Sequence, residues 1–254
     1  MRRLRMFKKL WKPVVLGAIM GLAPALVNYI GVEAVNQGAL TDGERAPHSA
    51  VQVEAVASPS AVVGMAQEDG NLKLQYPLVY VADEKAQQKI NTEIADYVVK
   101  MRDLYYNQKM HQVVLDYKVS YEDADLLSII INSGWYNGQS AHGYHQSQGL
   151  VFNKHTGEHI PATYYVHLKS DEQLKNLVMS ETVKVYSQGM ELMPVKSLFG
   201  LKDIEVRNDN YILLGHGNIA MLYQPYELTA YAYGVTRVVL TKEIIEEINR
   251  EYSH

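Results

Sequence analysis

Hydrophobic and polar positions alternate along HQVVLDYKVSY: Val113, Leu115, Tyr117, Val119 and Tyr121 share one side, Gln112, Asp116, Lys118 and Ser120 the other, with Val114 the one apolar residue on that second side. A period of two places alternate side chains on opposite faces, so this segment is predicted to be a half-buried strand. Upstream the period changes. Ile90, Ile94, Val98, Met101 and Tyr105 recur at three- and four-residue steps behind Asp83, a side chain suited to cap a helix N-terminus. Before that helix, LKLQYPLVYV reads as a strand that Pro77 confines to an edge or a bend. Asp123-Ala124-Asp125 turns the chain into LLSIIINSGWY, a more uniformly apolar strand. GLVFNK and EHIPATYYVHL are expected to follow as two further strands about the turn Lys154-His155-Thr156-Gly157, extending an antiparallel meander.

A second helix is predicted over Asp171 to Gln188, with Ser170 and Gln173 in capping-box spacing, a stripe of Leu174, Val178, Thr182 and Tyr186, and Gly189 as its stop. Short strands return at Tyr211–Leu214, Ile219–Gln224 and Val235–Leu240. Thr241 then caps a terminal helix carrying Ile244, Ile245 and Ile248. Strands in hairpin-like runs, without regular strand–helix alternation, indicate an α+β fold: a mainly antiparallel sheet with two or three helices packed on it.

The first thirty-four residues carry a different pattern. Arg2, Arg3, Arg5, Lys8, Lys9 and Lys12 precede an uncharged run from Pro13 to Val32, the arrangement of an export segment with its basic end held in the cytoplasm. Val32-Glu33-Ala34 offers a small-residue cleavage site, yet Pro13–Val32 also meets the roughly 20 residues a membrane span needs. Signal peptide and retained anchor both stay open. Residues 35–70, rich in Ala, Val, Gly, Ser, Pro and Gln and without a period, are expected to be a flexible linker, leaving 71–254 as one domain.

The chain has no cysteine, which removes disulfides, thiolate nucleophiles and cysteine-type zinc sites. After residue 34 it carries 18 Lys and Arg against 27 Asp and Glu, a balance near −9. That excludes nucleic acid as the natural partner and favours a cationic one; the membrane is met only through the N-terminal segment, if that is retained.

Candidate chemistry concentrates in GWYNGQSAHGYHQSQGLVFNKHTGEHIP, residues 134–161, which holds His142, His145, His155 and His159. These imidazoles, completed by Asp116, Asp123 or Glu158, are the candidate ligands of a metal-assisted hydrolase, although His142-x-x-His145 lies in a loop that fixes no common direction. Gly138-Gln139-Ser140-Ala141-His142 falls short of a nucleophile elbow: its fifth position is not glycine, and no helix follows. His142 alone could instead tie the loop to the sheet by hydrogen bonds. Trp135, Tyr136 and Tyr144, with Ser140 and His142, form the candidate ligand-binding set, because exposed aromatics stack on sugars and anchor protein partners. No cofactor or resident metal is implied.

Three stretches resemble one family: Tyr76-Pro77 with Ile90-Asn91; Ser140-Ala141-His142-Gly143 leading to Val151-Phe152-Asn153 and Thr156-Gly157; and Gln224-Pro225-Tyr226-Glu227-Leu228 with Tyr231-Ala232-Tyr233-Gly234. In order and spacing they resemble the bacterial cell-envelope domain of unknown function found outside the membrane in RsiV-type anti-sigma factors and beside the catalytic module of the peptidoglycan deacetylase PdaC. The family pattern more often has two glycines where Gln139-Ser140 stand here. Only about a dozen residues precede Pro13, too few for the sigma-binding segment of such a receptor. The resemblance therefore implies an exported, non-enzymatic envelope domain that binds or senses a lysozyme-like protein or a peptidoglycan fragment, without the sigma-factor role. A metal-assisted cell-wall hydrolase and a purely structural envelope protein are the alternatives.

Overall fold

The alternation along 112–122 and the helical steps along 84–106 meet in one layer of a computed structural model, which describes residues 60–252. The expected export segment, residues 1–34, and the linker as far as residue 59 lie outside the described residues. Strands β1 (Val62–Asp69), β2 (Leu72–Val79), β3 (Gln112–Glu122), β4 (Leu126–Tyr136) and β5 (Tyr144–Asn153) form a first sheet in that spatial order. Every pairing is antiparallel except β2 with β3, which is parallel over Leu72–Leu74. A parallel pair needs a long crossover, and helix α1 (Glu84–Tyr106) supplies it. Its stripe of Ile90, Ile94, Val98 and Met101, completed by Leu104, packs on Leu72, Leu74, Val113, Leu115, Leu127, Ile129 and Ile131. Asp83 caps the helix as expected, its carboxylate accepting from the Ala86 N–H at 2.8 Å. Asp83→Ala should cost about 1 kcal/mol, read as a lower urea midpoint with unchanged slope.

Pro77 sits where its missing N–H does no harm. Tyr80 N–H bonds Ala61 on the β1 side, whereas Val79 N–H turns the other way to the Asn91 side chain. Alternation places the Pro77 nitrogen with Val79, on the side that β3 has left after Leu74.

The second sheet, in the order β6 (Lys184–Tyr186), β9 (Thr236–Leu240), β8 (Asn218–Tyr223), β7 (Tyr211–Gly215), is antiparallel throughout. One face meets the first sheet through Ile130, Ile212, Ala220, Leu222 and Val235. The other lies under α2 (Asp171–Met179) and α3 (Lys242–Tyr252), where Leu174, Val178, Ile245 and Ile248 pack with Tyr211, Met221, Tyr223, Val238 and Leu240. The predicted α+β class holds, with two sheets in place of one. A bulge at Ser120 serves both: Val119 opposes Ile129 and packs with the α1 core, but Tyr121 opposes Ser128 and packs with the core of the second sheet.

Three expectations are corrected. The linker does not run to residue 70, because Val62–Asp69 pairs along its whole length with β2; backbone bonding holds a strand whose side chains are mostly exposed. The helix from Asp171 stops at Ser180, not at Gly189. Glu181 adopts a positive φ of 57°, and Val183 and Val185 then bury alternately around the short strand β6. EHIPATYYVHL is not a strand: a single bridge joins His159 to Phe152, and Pro161 then opens a short 3-10 turn at Ala162–Tyr164.

The outer edge of β5 is closed by side chains. Gly149 N–H donates to Asn210 Oδ1 at 2.8 Å, and Asn210 Nδ2 donates to the carbonyls of Ser147 and Leu222. Gln224 clasps Ser147 on both its N–H and its carbonyl, at 2.9 and 2.8 Å. An edge satisfied in this way is no template for another strand. It also pins the chain after β8 against the N-terminal part of β5, close to where residues 137–143 lead into that strand.

Candidate functional site

Residues 137–143 join β4 to β5, and their course is set by Asn137, whose Oδ1 accepts from the N–H groups of Gln139 and Ser140 at 2.9 and 3.0 Å. Gly138, at φ 84°, supplies the left-handed residue that this turn requires. The single Ser140 hydroxyl proton is shared between Asn137 Oδ1 and the His142 carbonyl, at 2.9 and 3.0 Å. Ser140 is thus committed to holding its own loop and has no imidazole beside its oxygen.

The segment that follows Gln224 meets this loop. Tyr231 donates its hydroxyl proton to the Gly143 carbonyl at 2.6 Å, and its ring stacks on His142 with centroids 4.0 Å apart. His145 Nδ1 lies 3.0 Å from the same hydroxyl oxygen. Since that proton goes to Gly143, the imidazole must be the donor, which assigns the Nδ1–H tautomer and leaves Nε2 as a bare acceptor. Nε2 is buried with no partner. His142 Nδ1 faces the Gly143 carbonyl at 2.9 Å, which likewise makes its Nε2 the acceptor, 3.4 Å from the Tyr226 hydroxyl. Tyr226 is held at φ 73° and leaves 57% of its surface in water.

The five residues singled out by sequence do not form one cluster. Trp135 and Tyr144 stack with centroids 5.9 Å apart as a cross-strand pair, with Lys100 of α1 5.9 Å over the indole. His142 instead faces Tyr231 and Tyr226, Tyr136 sets its ring edge against His111, and Ser140 serves the loop. Tyr226 and Tyr231, which lie outside the candidate set, are the partners of His142. The signal available was the order of the two short motifs. The four histidines do not share a cleft either. His155 bonds Asp125 at 2.7 Å and His159 lies 3.3 Å from Glu93, both beyond the opposite end of β5 from His142 and His145. Among the described residues no three His, Asp or Glu side chains stand where they would hold one metal ion, as the hydrolase alternative required.

No known family model and no curated protein matches the chain by sequence. Solved structures do match. A DUF3298 family protein from Pseudomonas aeruginosa PAO1 superposes with a TM-score of 0.52 at 11% identity, over 75% of this chain and 94% of its own. A DUF3298 family member from Bacteroides fragilis NCTC 9343 gives 0.46 at 15%, over 74% and 91%. The chain shares its fold with the Pseudomonas aeruginosa protein. DUF3298 denotes a domain of unknown function, so the likeness is one of architecture. Among the described residues no helix is long and apolar enough to cross a membrane.

The contact of His145 with Tyr231 is expected to respond to pH. Burial, reinforced by the neighbouring His142, pushes the His145 imidazole below its ordinary range. A base whose folded value is depressed favours the neutral form on folding. Its contribution is complete above the unfolded value of about 6.5 and is lost as pH falls through that value toward the folded one. Thermal stability should therefore decline between pH 7.5 and 5, with part of the decline absent in His145→Gln. An NMR titration that found His145 at or above the ordinary histidine range would contradict the assignment.

Proposed function

We propose that this chain is a non-enzymatic binding module of the bacterial cell envelope, exported on its N-terminal segment, and that its contact surface is loop 137–143 together with Tyr226. The observation that carries it is the combination of exposure and fixity. His142 and Tyr226 present rings to solvent, while Asn137, Tyr231 and Gln224 fix the backbone beneath them. A site held before binding loses less conformational entropy when a partner arrives. Tyr144, exposed at 58%, extends the aromatic surface on the Trp135 side.

The partner we propose is a lysozyme-like protein, supported by the resemblance to the extracellular part of RsiV-type receptors and by the balance near −9 after residue 34, which suits a strongly cationic protein. Peptidoglycan fragments are the second ligand, favoured by the exposed tyrosine rings. The purified full chain is titrated with a lysozyme and, separately, with soluble muropeptides. Saturable binding that weakens with added salt and survives chelation is expected. If neither ligand binds, the proposal fails and the structural alternative, which needs no ligand, takes its place.

A further inference from the structure

Arg237 lies in β9 between cross-strand neighbours Tyr186 and Leu222, half-buried, without a carboxylate within ion-pair distance among the described residues. The contrast with Arg207 is direct: that guanidinium pairs with Glu205 at 3.3 Å and Glu227 at 3.1 Å. For Arg237 the one bond is from Nη1 to the Met190 thioether, and Nε is buried with no partner at all. Thioether sulfur is a weak acceptor, whereas an ion pair of a guanidinium with a carboxylate is charge-assisted and bidentate. A desolvated cation left in this state costs stability, and burial already disfavours its charged form. Nη1 and Nη2 form the end-on fork that matches two oxygens of a single group, and the weak thioether bond is what occupies it, so displacing Met190 opens that fork while Nε reports on it from the buried side.

We propose that Arg237 anchors a carboxylate-binding site, taken by a small acid or peptide with a free carboxylate that displaces the thioether of Met190. Met190 suits that exchange: it is unbranched, 54% exposed, and held at φ 65° in the turn between Ser187 and Glu191. One cation between Tyr186 and Leu222 fits a planar monoanion better than a phosphate, which gathers several donors. None of these residues belongs to loop 137–143, so the two sites succeed or fail separately.

The test follows the Arg237 Nε–H NMR signal of the full chain, assigned by its loss in Arg237→Lys, during titration with acetyl-alanyl-alanine and with its C-terminal amide. A saturable shift with the acid and none with the amide is expected. Affinity for the acid, read from backbone signals of β9, should fall at least about tenfold in Arg237→Lys, which keeps the charge but loses the fork. The inference is overturned by no shift up to roughly 10 mM acid, by an equal response to the amide, or by an equal response to inorganic phosphate. A signal that moves in ligand-free Glu191→Gln would overturn it too, by revealing an internal partner.

Discussion

Replacing Gly149 by alanine is expected to lower the melting temperature by about 6–12 °C, the largest effect of any single methyl added between the two sheets. A Cβ at this position would fall on the Tyr211 carbonyl and lie 3.0 Å from Ile212 Cγ2. The obstacle is backbone, so no rotamer change relieves it. Nor can the strands step apart cheaply, because Gly149 N–H is bonded to Asn210 and Leu213 N–H to Ser128 Oγ at 3.0 Å. Overpacking of this kind costs 1–3 kcal/mol and occasionally more, and the rigid surroundings place it near about 3. For a domain of this size each kcal/mol moves the midpoint by about 2–4 °C. Calorimetry of the variant decides it; a midpoint equal to the parent's would mean that β5 and β7 do not touch at Gly149.

Glu122→Ala is the second. Glu122 accepts from Ser60 Oγ at 2.6 Å, Ala61 N–H at 2.8 Å and Lys154 Nζ at 3.0 Å, with both charged side chains about one-seventh exposed. Burial alone would raise its carboxyl, but the bonds from Ser60, Ala61 and Lys154 and the charge of Lys154 outweigh it and hold the group below the ordinary glutamate range. Removing the carboxylate leaves Lys154 near-buried with the Asp123 carbonyl, at 2.8 Å, as its remaining hydrogen-bond acceptor, and frees the chain where it enters β1, at a cost of about 3 kcal/mol. The double variant Glu122→Ala/Lys154→Met should recover much of that loss, because no unpaired charge remains. The sign with pH is fixed: the stabilisation is complete above the unfolded value of about 4.3 and is lost as pH falls through the folded value. Urea denaturation measures both; a single variant within about 0.5 kcal/mol of the parent would contradict the role given to the pair.

What was legible in the sequence was whatever one element decides for itself. The stripe of α1, its Asp83 cap, the alternation of β3 and the α3 isoleucines follow from period and local bonding. LLSIII was read as apolar on both faces without a reason; the reason is that α1 covers one face of β4 and the second sheet covers the other. β1 escaped because VVGMAQED is held by its backbone ladder, which leaves no hydrophobic period. The stripe drawn through Thr182 and Tyr186 failed because Val183 and Val185 fit a strand as well as their neighbours fit a helix, and tertiary pairing with β9 decided it. The site was the least legible part. Its two halves lie 84 to 88 residues apart, Tyr226 to His142 and Tyr231 to Gly143, and no local pattern joins them. Only their order in the resemblance hinted that they belong together.

That juxtaposition is the centre of the account, and one titration tests it: a lysozyme added to the full chain, compared with Tyr226→Ala and His142→Ala. Both substitutions remove exposed rings and leave the Tyr231–Gly143 bond in place, so folding is preserved while the contact surface is lost. The account predicts saturable binding by the parent and an affinity reduced at least about tenfold in each variant, the loss of more than about 1.4 kcal/mol that marks an interface anchor. Undiminished binding by both variants would contradict it.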